Sequence, residues 1–520
     1  MTLRIVGYIV GLCLLLFPSA MLADTFYPLG HRIFDLEYDL LFHHGVARQD
    51  MACLSPVGPY PFDVMTTAIS ADRMPLRALF DAAPDREFQG VDGTNPSDRL
   101  RLLAVGAQRF RGIRDHRPDN LPFVMGGAVY HPGRYFGALV FFSLDRAKAV
   151  DPYYTGKRYR GLAGDVETAA LTFRKDKVAV TLGRQRVFWG PRRVNLLISE
   201  TSEPFDLLSA SYRAGRFAFS FLFARLDQSR PDGTDSLRFP DLTFNDNRYL
   251  VGHRLDVTIH RRFRLGLFET VLFGGEGRPP ELYYLNPLQF FHAAQLNENE
   301  DDNTILGFDF TLLPGKGLSS YGQVIVDDVQ IDDKSPGDKE PAEYGFLLGL
   351  CKAGRIKSAV PDITLEYARL TNRTYHQRDP RNRYLYRNRL IGHPLGPDAD
   401  SLSIAVRFWP DESFFAEAEF AYRRKGEGSI YRPWDEPWLF STGEFDEPFP
   451  TGVIEKTALT AVRLNGYLPF TRYLRNHLFV SFEAGWGEIH NYRNIQGQVA
   501  TTAWFNVGVN WLGLTDASVD

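Results

Sequence analysis

Apolar and polar residues alternate along most of the chain from about residue 99 onward. FAFSFLFA (217–224), LDVTI (255–259) and ITLEY (363–367) all repeat with a period of two. This period puts apolar side chains on one face of a β-strand and polar side chains on the other. About 18 such segments are predicted. They lie near 99–109, 122–131, 135–145, 161–174, 177–188, 206–213, 216–226, 250–260, 263–273, 303–313, 318–328, 343–354, 361–372, 401–409, 413–424, 455–467, 475–488 and 501–512.

The connections between these segments alternate in length. Short turns such as 174–177 and 214–216 are interleaved with long loops such as 227–249 and 373–400. Outer-membrane barrels have short periplasmic turns and longer outer loops. A soluble sandwich shows the same strand alternation but has no reason to segregate its loop lengths. We therefore expect an antiparallel outer-membrane β-barrel over residues 98–514 and a C-terminal tail over 515–520.

The first residues have the composition of an export signal. Arg4 precedes an apolar run in MTLRIVGYIVGLCLLLFPSAMLA, and small residues allow cleavage after Ala20 or Ala23. Residues 1–23 are therefore predicted to be a signal peptide.

The period changes to a helical one between the signal peptide and the first strand. HRIFDLEYDLLFHHG places apolar residues at helical spacing and ends at Gly45, and PYPFDVMTTAI (59–69) resembles a second helix start. We expect residues 24–97 to form a small periplasmic helical segment.

Composition excludes several classes of protein. With 59 basic and 63 acidic residues the net charge is −4, which gives no reason to expect a nucleic-acid partner. No apolar run of roughly 18 residues follows the signal, so helical spans are not predicted. Cys53 and Cys351 either form one disulfide or stay free. Neither H-E-x-x-H nor G-x-S-x-G occurs, and we expect no enzyme, cofactor or metal site.

The stretch GRQRVFWGPRR (183–193) follows the fifth predicted strand and combines planar cations with an indole. Aromatic faces stack on sugar rings, and guanidinium groups bind carboxylates through paired hydrogen bonds. Arginine and tryptophan also contact lipid headgroups at barrel rims. The residues concerned are Arg184, Arg186, Trp189, Arg192 and Arg193.

A third role for these arginines is to brace the barrel by pairing with carboxylates of its inner wall. The candidate lumen network consists of Asp256, Asp309, Glu366, Glu417, Glu419 and Glu483. Arg184 and Arg186 continue the even-numbered face of Leu182, which would direct them to lipid. Either a bulge at Gly183 or an end to the apolar band resolves this conflict.

Two long loops contain further candidates. The acidic run near Asp301 suggests either a Ca²⁺ site or a solvated loop, and it lacks regular ligand spacing. Trp434 and Trp438 flank Pro437 and form either a sugar platform or part of a lid packed over the barrel mouth.

Three blocks of sequence carry a resemblance to a known family. GRQRVFWGPRRVNLLISETSEPFDLL (183–208) has a Gly-Arg-x4-Trp-Gly motif followed by Ser and Pro-Phe. The region 252–310 has a His-Arg strand, Gly-x-x-Glu at 266–269, Tyr-Leu-Asn-Pro at 284–287 and an Asp-Asn pair. The third block is PLGHRIFDLEYDLLFHHG with GPYPFDV. Together they resemble the capsule assembly Wzi family, and beyond residue 310 only the barrel pattern matches.

The resemblance implies an 18-stranded outer-membrane barrel with a small helical bundle, which binds or organises capsular or extracellular polysaccharide without catalysis. The expected partners are this polysaccharide, outer-membrane lipid including lipopolysaccharide, and the barrel-assembly machinery, with the protein a monomer. The alternatives are a porin-like diffusion channel for small polar or anionic solutes and a lipid-modifying enzyme. The candidate polysaccharide-binding residues are Arg184, Arg186, Trp189, Arg192, Arg193, Tyr284, Asn286, Trp434 and Trp438.

Overall fold

Eighteen antiparallel strands close into a barrel in which the last strand pairs with the first. The computed structural model describes residues 32–51, 54–58, 98–114, 118–132, 135–154, 156–228, 246–329, 339–357, 359–411, 413–442, 445–471 and 476–518. Closure gives every strand two neighbours, so the backbone polar groups are paired without an open sheet edge.

The barrel strands follow one another around the wall in chain order. They are β1 Asp98–Ile113, β2 Phe123–Pro132, β3 Phe136–Asp145, β4 Leu162–Lys175, β5 Val178–Gln185, β6 Phe205–Ala214, β7 Phe217–Arg225, β8 Asp246–His260, β9 Phe263–Glu276, β10 Asn303–Gly315, β11 Leu318–Asp328, β12 Glu343–Ala353, β13 Val360–Leu370, β14 Ala399–Asp411, β15 Phe414–Lys425, β16 Glu455–Thr471, β17 Asn476–His490 and β18 Val499–Ser518.

The predicted number and order of strands are confirmed, and two predicted ends are wrong. β5 ends at Gln185 rather than 188, because Phe188–Trp189 leaves the wall and pairs with Val57–Gly58. β18 runs to Ser518, beyond the predicted boundary at 514, because its last residues pair with the start of β1.

Large apolar side chains are exposed on the outer face of the barrel. They include Leu102, Val124, Phe142, Leu171, Leu182, Leu208, Leu255, Leu267, Phe308, Leu348, Leu365 and Ile404. A belt of this kind matches the hydrocarbon of a bilayer. The wall is therefore built to span a membrane.

Helical structure is limited in the described ranges. The α-helices are α1 Arg32–Arg48, α2 Arg146–Ala149, α3 Leu282–Leu285 and α4 Phe291–Glu298, and 3-10 turns occupy Pro380–Asn382, Pro437–Phe440 and Tyr492–Asn494. Among the residues described, these helices are all too short or too polar to cross a membrane.

α1 lies inside the barrel, which corrects the expected periplasmic position for this part of the N-terminal segment. Leu40 and Leu41 pack in one buried cluster with Leu103 and Val105 of β1. Its residues from Leu40 to Val46 are all buried, and a helix buried on most sides belongs to a core. The signal peptide and the predicted second helix at 59–69 lie outside the described residues.

A buried ion pair joins α1 to the wall. His43 Nδ1 lies 3.0 Å from Asp362 Oδ2 of β13, and both side chains are fully buried. Burial alone would lower the pKa of His43, but the Asp362 carboxylate outweighs burial and raises that pKa to about 9. His43 is therefore charged at neutral pH and fixes α1 to β13.

Cys351 lies beside this pair. In the part of the chain that the structure describes, His43, Cys351 and Asp362 are the one group of potential metal ligands, with ligand atoms within 4.8 Å of one another. The Arg407 guanidinium already lies 3.4 Å from Asp362 Oδ1. Two cationic partners satisfy the carboxylate, so we interpret the group as an ion-pair cluster.

Replacing His43 with Gln should destabilise the barrel in a pH-dependent way. The pKa of His43 in the folded protein is above its ordinary value, so its stabilisation is complete below about pH 6.5 and is lost as pH rises through about 9. We expect the H43Q variant to lose about 3 kcal/mol at pH 6 and clearly less at pH 10, measured by thermal unfolding in detergent.

His44→Gln is the matched control on the same helix. Burial lowers the pKa of His44 to about 4, so this side chain stays neutral from pH 6 to pH 10. The effect of H44Q should therefore not change over that range. An equal loss of stability at both pH values for H43Q would contradict the ion pair.

Candidate functional site

The stretch 183–193 folds into the mouth of the barrel. Phe188–Trp189 pairs with Val57–Gly58, and the Trp189 amide donates to the Ile198 carbonyl at 2.9 Å. The indole is buried, and a Cβ at Gly252 of β8 would overlap its ring. Trp189 is therefore a packing residue of the barrel interior.

Arg184 occupies the end of the apolar band. β5 pairs with β4 and β6 without a register shift from Val178 to Arg184, so the structure has no bulge in this stretch. Arg184 shares the outward face of Leu182 and lies 3.4 Å from Asp206, the neighbouring residue of β6. The conflict over its direction is resolved because the apolar band ends below it.

The other arginines of this stretch contact the protein itself. Arg186 donates to the carbonyls of Glu200 and Ser202 and lies 3.6 Å from the Glu167 carboxylate. These contacts hold the inward-folded loop against β4. Arg186 is thus placed to brace the mouth.

Arg192 and Arg193 link the same loop to α1. Arg193 lies 3.0 Å from Asp39 of α1 and 2.6 Å from Glu200. The Arg192 guanidinium carbon lies 4.0 Å from the centre of the Phe42 ring, which is a cation–π contact. Loop and helix therefore support each other inside the barrel.

Two wall carboxylates of the candidate network surround one arginine. Arg254 of β8 is fully buried and lies 2.6 Å from Asp256 and 2.5 Å from Asp309. A Cβ at Gly266 would overlap its guanidinium, so glycine makes room for the charge. This contact explains the His-Arg strand and the Gly of Gly-x-x-Glu in physical terms.

The other four carboxylates lie on β13, β15 and β17. Arg463 contacts three of them, at 2.9 Å from Glu419, 3.0 Å from Glu483 and closely with Glu417. The Tyr321 hydroxyl donates to Glu366 at 2.8 Å. The structure places all six carboxylates in such contacts, with partners from the strands rather than from the stretch 183–193.

Trp434 and Trp438 pack together rather than form an open platform. Both are buried, and the Arg373 guanidinium carbon lies 4.7 Å from the Trp438 ring centre. Arg373 also lies 2.9 Å from Glu447. The two indoles therefore belong to a lid over the mouth, which leaves them poorly placed to stack on a sugar.

Tyr284 and Asn286 lie in the loop between β9 and β10. The Tyr284 ring is buried and its hydroxyl donates to Asp302 at 2.8 Å, whereas Asn286 is exposed. Burial and the Asp302 carboxylate raise the pKa of Tyr284 far above its ordinary range. Of the candidate sugar contacts, Asn286 is the one whose side chain lies on an exposed surface.

An open cavity of about 300 Å³ lies where four long loops meet. Tyr153 and Tyr431 are stacked beside it, with ring centres 6.2 Å apart and planes at 26°. They are 44% and 42% exposed. Sequence reasoning missed this site because its residues come from distant loops. The run DPYYTGKRYR gave one signal, namely tyrosines concentrated in a single loop.

The charged and polar groups of this cavity are already paired. Arg389 lies over the Tyr153 ring at 5.5 Å, 3.1 Å from Glu203 and close to Asp151. Tyr431 donates its hydroxyl to the Asn388 carbonyl at 3.0 Å. Burial and the adjacent Tyr153 raise the pKa of Tyr431 to about 12, so this hydroxyl stays protonated. The cavity offers aromatic faces held in place by ion pairs.

Fold and site together define a membrane β-barrel with a packed interior and an aromatic cavity on its long-loop face. The chain belongs to the capsule assembly protein Wzi family, whose sequence profile matches residues 135–502. No curated protein sequence matches the chain.

Solved structures with a similar fold include Wzi of Escherichia coli, an outer-membrane protein of group 1 capsule assembly described as a carbohydrate-binding β-barrel. It has 14% sequence identity and a TM-score of 0.56, and the alignment covers 95% of this chain and 99% of that one. OccAB4 of Acinetobacter baumannii is 9% identical with a TM-score of 0.44, covering 81% of this chain and 98% of the other. OprD of Pseudomonas aeruginosa is 11% identical with a TM-score of 0.43, covering 83% and 98%.

Replacing Arg193 with Met should destabilise the fold because it leaves Asp39 and Glu200 without their cation. We expect a loss of about 2 kcal/mol, the scale of hydrogen bonds to charged groups, measured by urea unfolding in detergent. Arg184→Met is the matched control, since its partner Asp206 is exposed and surface pairs contribute about 0 to 1 kcal/mol. Equal effects of the two substitutions would contradict the bracing role.

Proposed function

We propose that this protein is a non-enzymatic outer-membrane β-barrel that binds polysaccharide at the cell surface and takes part in capsule assembly. The observation that carries the proposal is the open cavity beside the stacked Tyr153 and Tyr431. Membership of the capsule assembly family and the carbohydrate binding described for the E. coli Wzi barrel support it.

The geometry of the cavity suits sugar rings. Two half-exposed tyrosines present apolar faces for stacking and hydroxyls for hydrogen bonds. Arg389 is paired with Asp151 and Glu203, so it holds the platform in place. Recognition is therefore proposed through ring stacking and hydroxyl contacts, with neutral parts of the polysaccharide nearest the tyrosines.

The position of the cavity fits a surface role. Its lining comes from the loops that follow β3, β5, β13 and β15, all on the long-loop side of the barrel. Long loops lie on the outer side of outer-membrane barrels. We propose a monomer that reaches the membrane through the barrel-assembly machinery and contacts lipopolysaccharide through its outer belt.

The channel alternative has less support. α1 lies in the interior, and Tyr375, Tyr384 and Tyr386 of the loop after β13 are buried in the same cluster as wall residues. A diffusion channel requires an aqueous path through this region. The packed side chains favour a closed scaffold that presents its outer loops.

Replacing both Tyr153 and Tyr431 with Ala should weaken polysaccharide binding. Aromatic contacts contribute about 0.5 to 1.5 kcal/mol each beyond area burial, which predicts a roughly tenfold increase in Kd for the pair. The measurement is titration calorimetry of the detergent-solubilised barrel with polysaccharide purified from the surface of the host cell.

Tyr159→Ala is the control, because this exposed tyrosine lies on the same loop outside the cavity lining. It should leave the Kd unchanged. Unaltered affinity in the double variant, with intact folding, would rule out the cavity as the binding site.

A further inference from the structure

The loop between β9 and β10 folds over the outside of the barrel. Tyr284 and Phe291 of this loop pack with Val251, Val271 and Phe273 in one buried cluster. These three strand residues share the outward face of Leu255 and Leu267, whereas the alternate residues Leu250 and Leu272 belong to the interior cluster. We call residues 277–302, with α3 and α4, the outer hairpin.

Polar contacts fix the outer hairpin to the wall. The Glu269 carboxylate accepts hydrogen bonds from the amides of Phe291 at 2.9 Å and His292 at 2.8 Å, at the start of α4. Glu269 is itself buried beneath the hairpin. Its charge is stabilised by the free amides of a helix start. The Glu of Gly-x-x-Glu therefore holds the hairpin to the wall.

A second set of contacts closes the base of the hairpin. Arg278 lies 2.6 Å from Asp302 and 2.7 Å from Glu281, at the two ends of the loop. The Tyr284 hydroxyl donates to the same aspartate at 2.8 Å. The hairpin is thus an ordered element, and the acidic residues near Asp302 serve its arginine rather than an evident Ca²⁺ site.

The surface that the hairpin turns away from the wall is apolar and exposed. Leu282 is 84% exposed and Leu288 is 85% exposed. Phe290 and Leu296 are also exposed. Large apolar groups clustered on a surface mark a site of contact with protein or membrane.

We propose that the outer hairpin inserts these four side chains into the hydrocarbon of the outer leaflet. The argument is continuity with the membrane-facing belt. Glu269, under the hairpin, is two residues from the exposed Leu267 on β9, which is a rise of about 7 Å along the strand. Interfacial helices bury their apolar faces to a depth of about 5 to 10 Å.

The long-loop position of the hairpin sets the leaflet. β9 ends and β10 begins on the long-loop side, which faces outward in barrels of this kind. The hairpin anchors one side of the loop region at the lipid surface. It fixes the height of the loops above the membrane, a role separate from polysaccharide binding.

Spin labels on the hairpin test this proposal directly. A nitroxide is attached at Leu288→Cys, at Leu282→Cys and, as a control, at Phe440→Cys, which is 87% exposed on another long loop. Wild type taken through the same labelling gives the background from native cysteines. The proteins are placed in vesicles containing lipopolysaccharide.

The measurement is the ratio of collisions with oxygen, which partitions into hydrocarbon, to collisions with a water-soluble nickel complex. We expect this ratio to be several-fold higher at positions 282 and 288 than at 440. Equal, water-like ratios at all three positions would overturn the proposal. Efficient cross-linking of Leu288→Cys between two copies would also overturn it, because a second chain would then cover the surface.

Discussion

The pairing of charges inside the barrel is the constraint on which the rest of the structure depends. An ion taken from water into a protein interior costs several kcal/mol unless a partner compensates it. Arg254 lies between Asp256 and Asp309, and Gly266 leaves the space for its guanidinium. His43 extends the same principle to α1, so the interior is a packed, charge-compensated core.

That core determines which way the long loops fold. The loop after β5 turns inward, where Trp189 fits against Gly252 and Arg193 reaches α1. The loop after β9 turns outward and covers the wall. The Asp-Asn pair at the start of β10 serves both directions, since Asp302 binds Arg278 of the outer hairpin and Asn303 donates to a lumen loop at Asn382.

Periodicity predicted the wall because strand alternation is a local property of the chain. The direction of a loop is not local, so Arg186 and Arg193 were candidates for sugar binding although they brace the mouth. The stacked Tyr153 and Tyr431 were missed, since a barrel brings together loops that are far apart in sequence. Nor could the sequence place α1, because the space inside a barrel depends on closure of the whole wall.

The central claim is that a packed interior makes this barrel a scaffold for a binding surface rather than a channel. Ion conductance of the purified protein in planar lipid bilayers tests that claim most directly. A barrel filled by α1, inward loops and arginine–carboxylate pairs should pass almost no steady current at moderate voltage. Stable, long-lived current steps of porin size would show an open aqueous path and contradict the account.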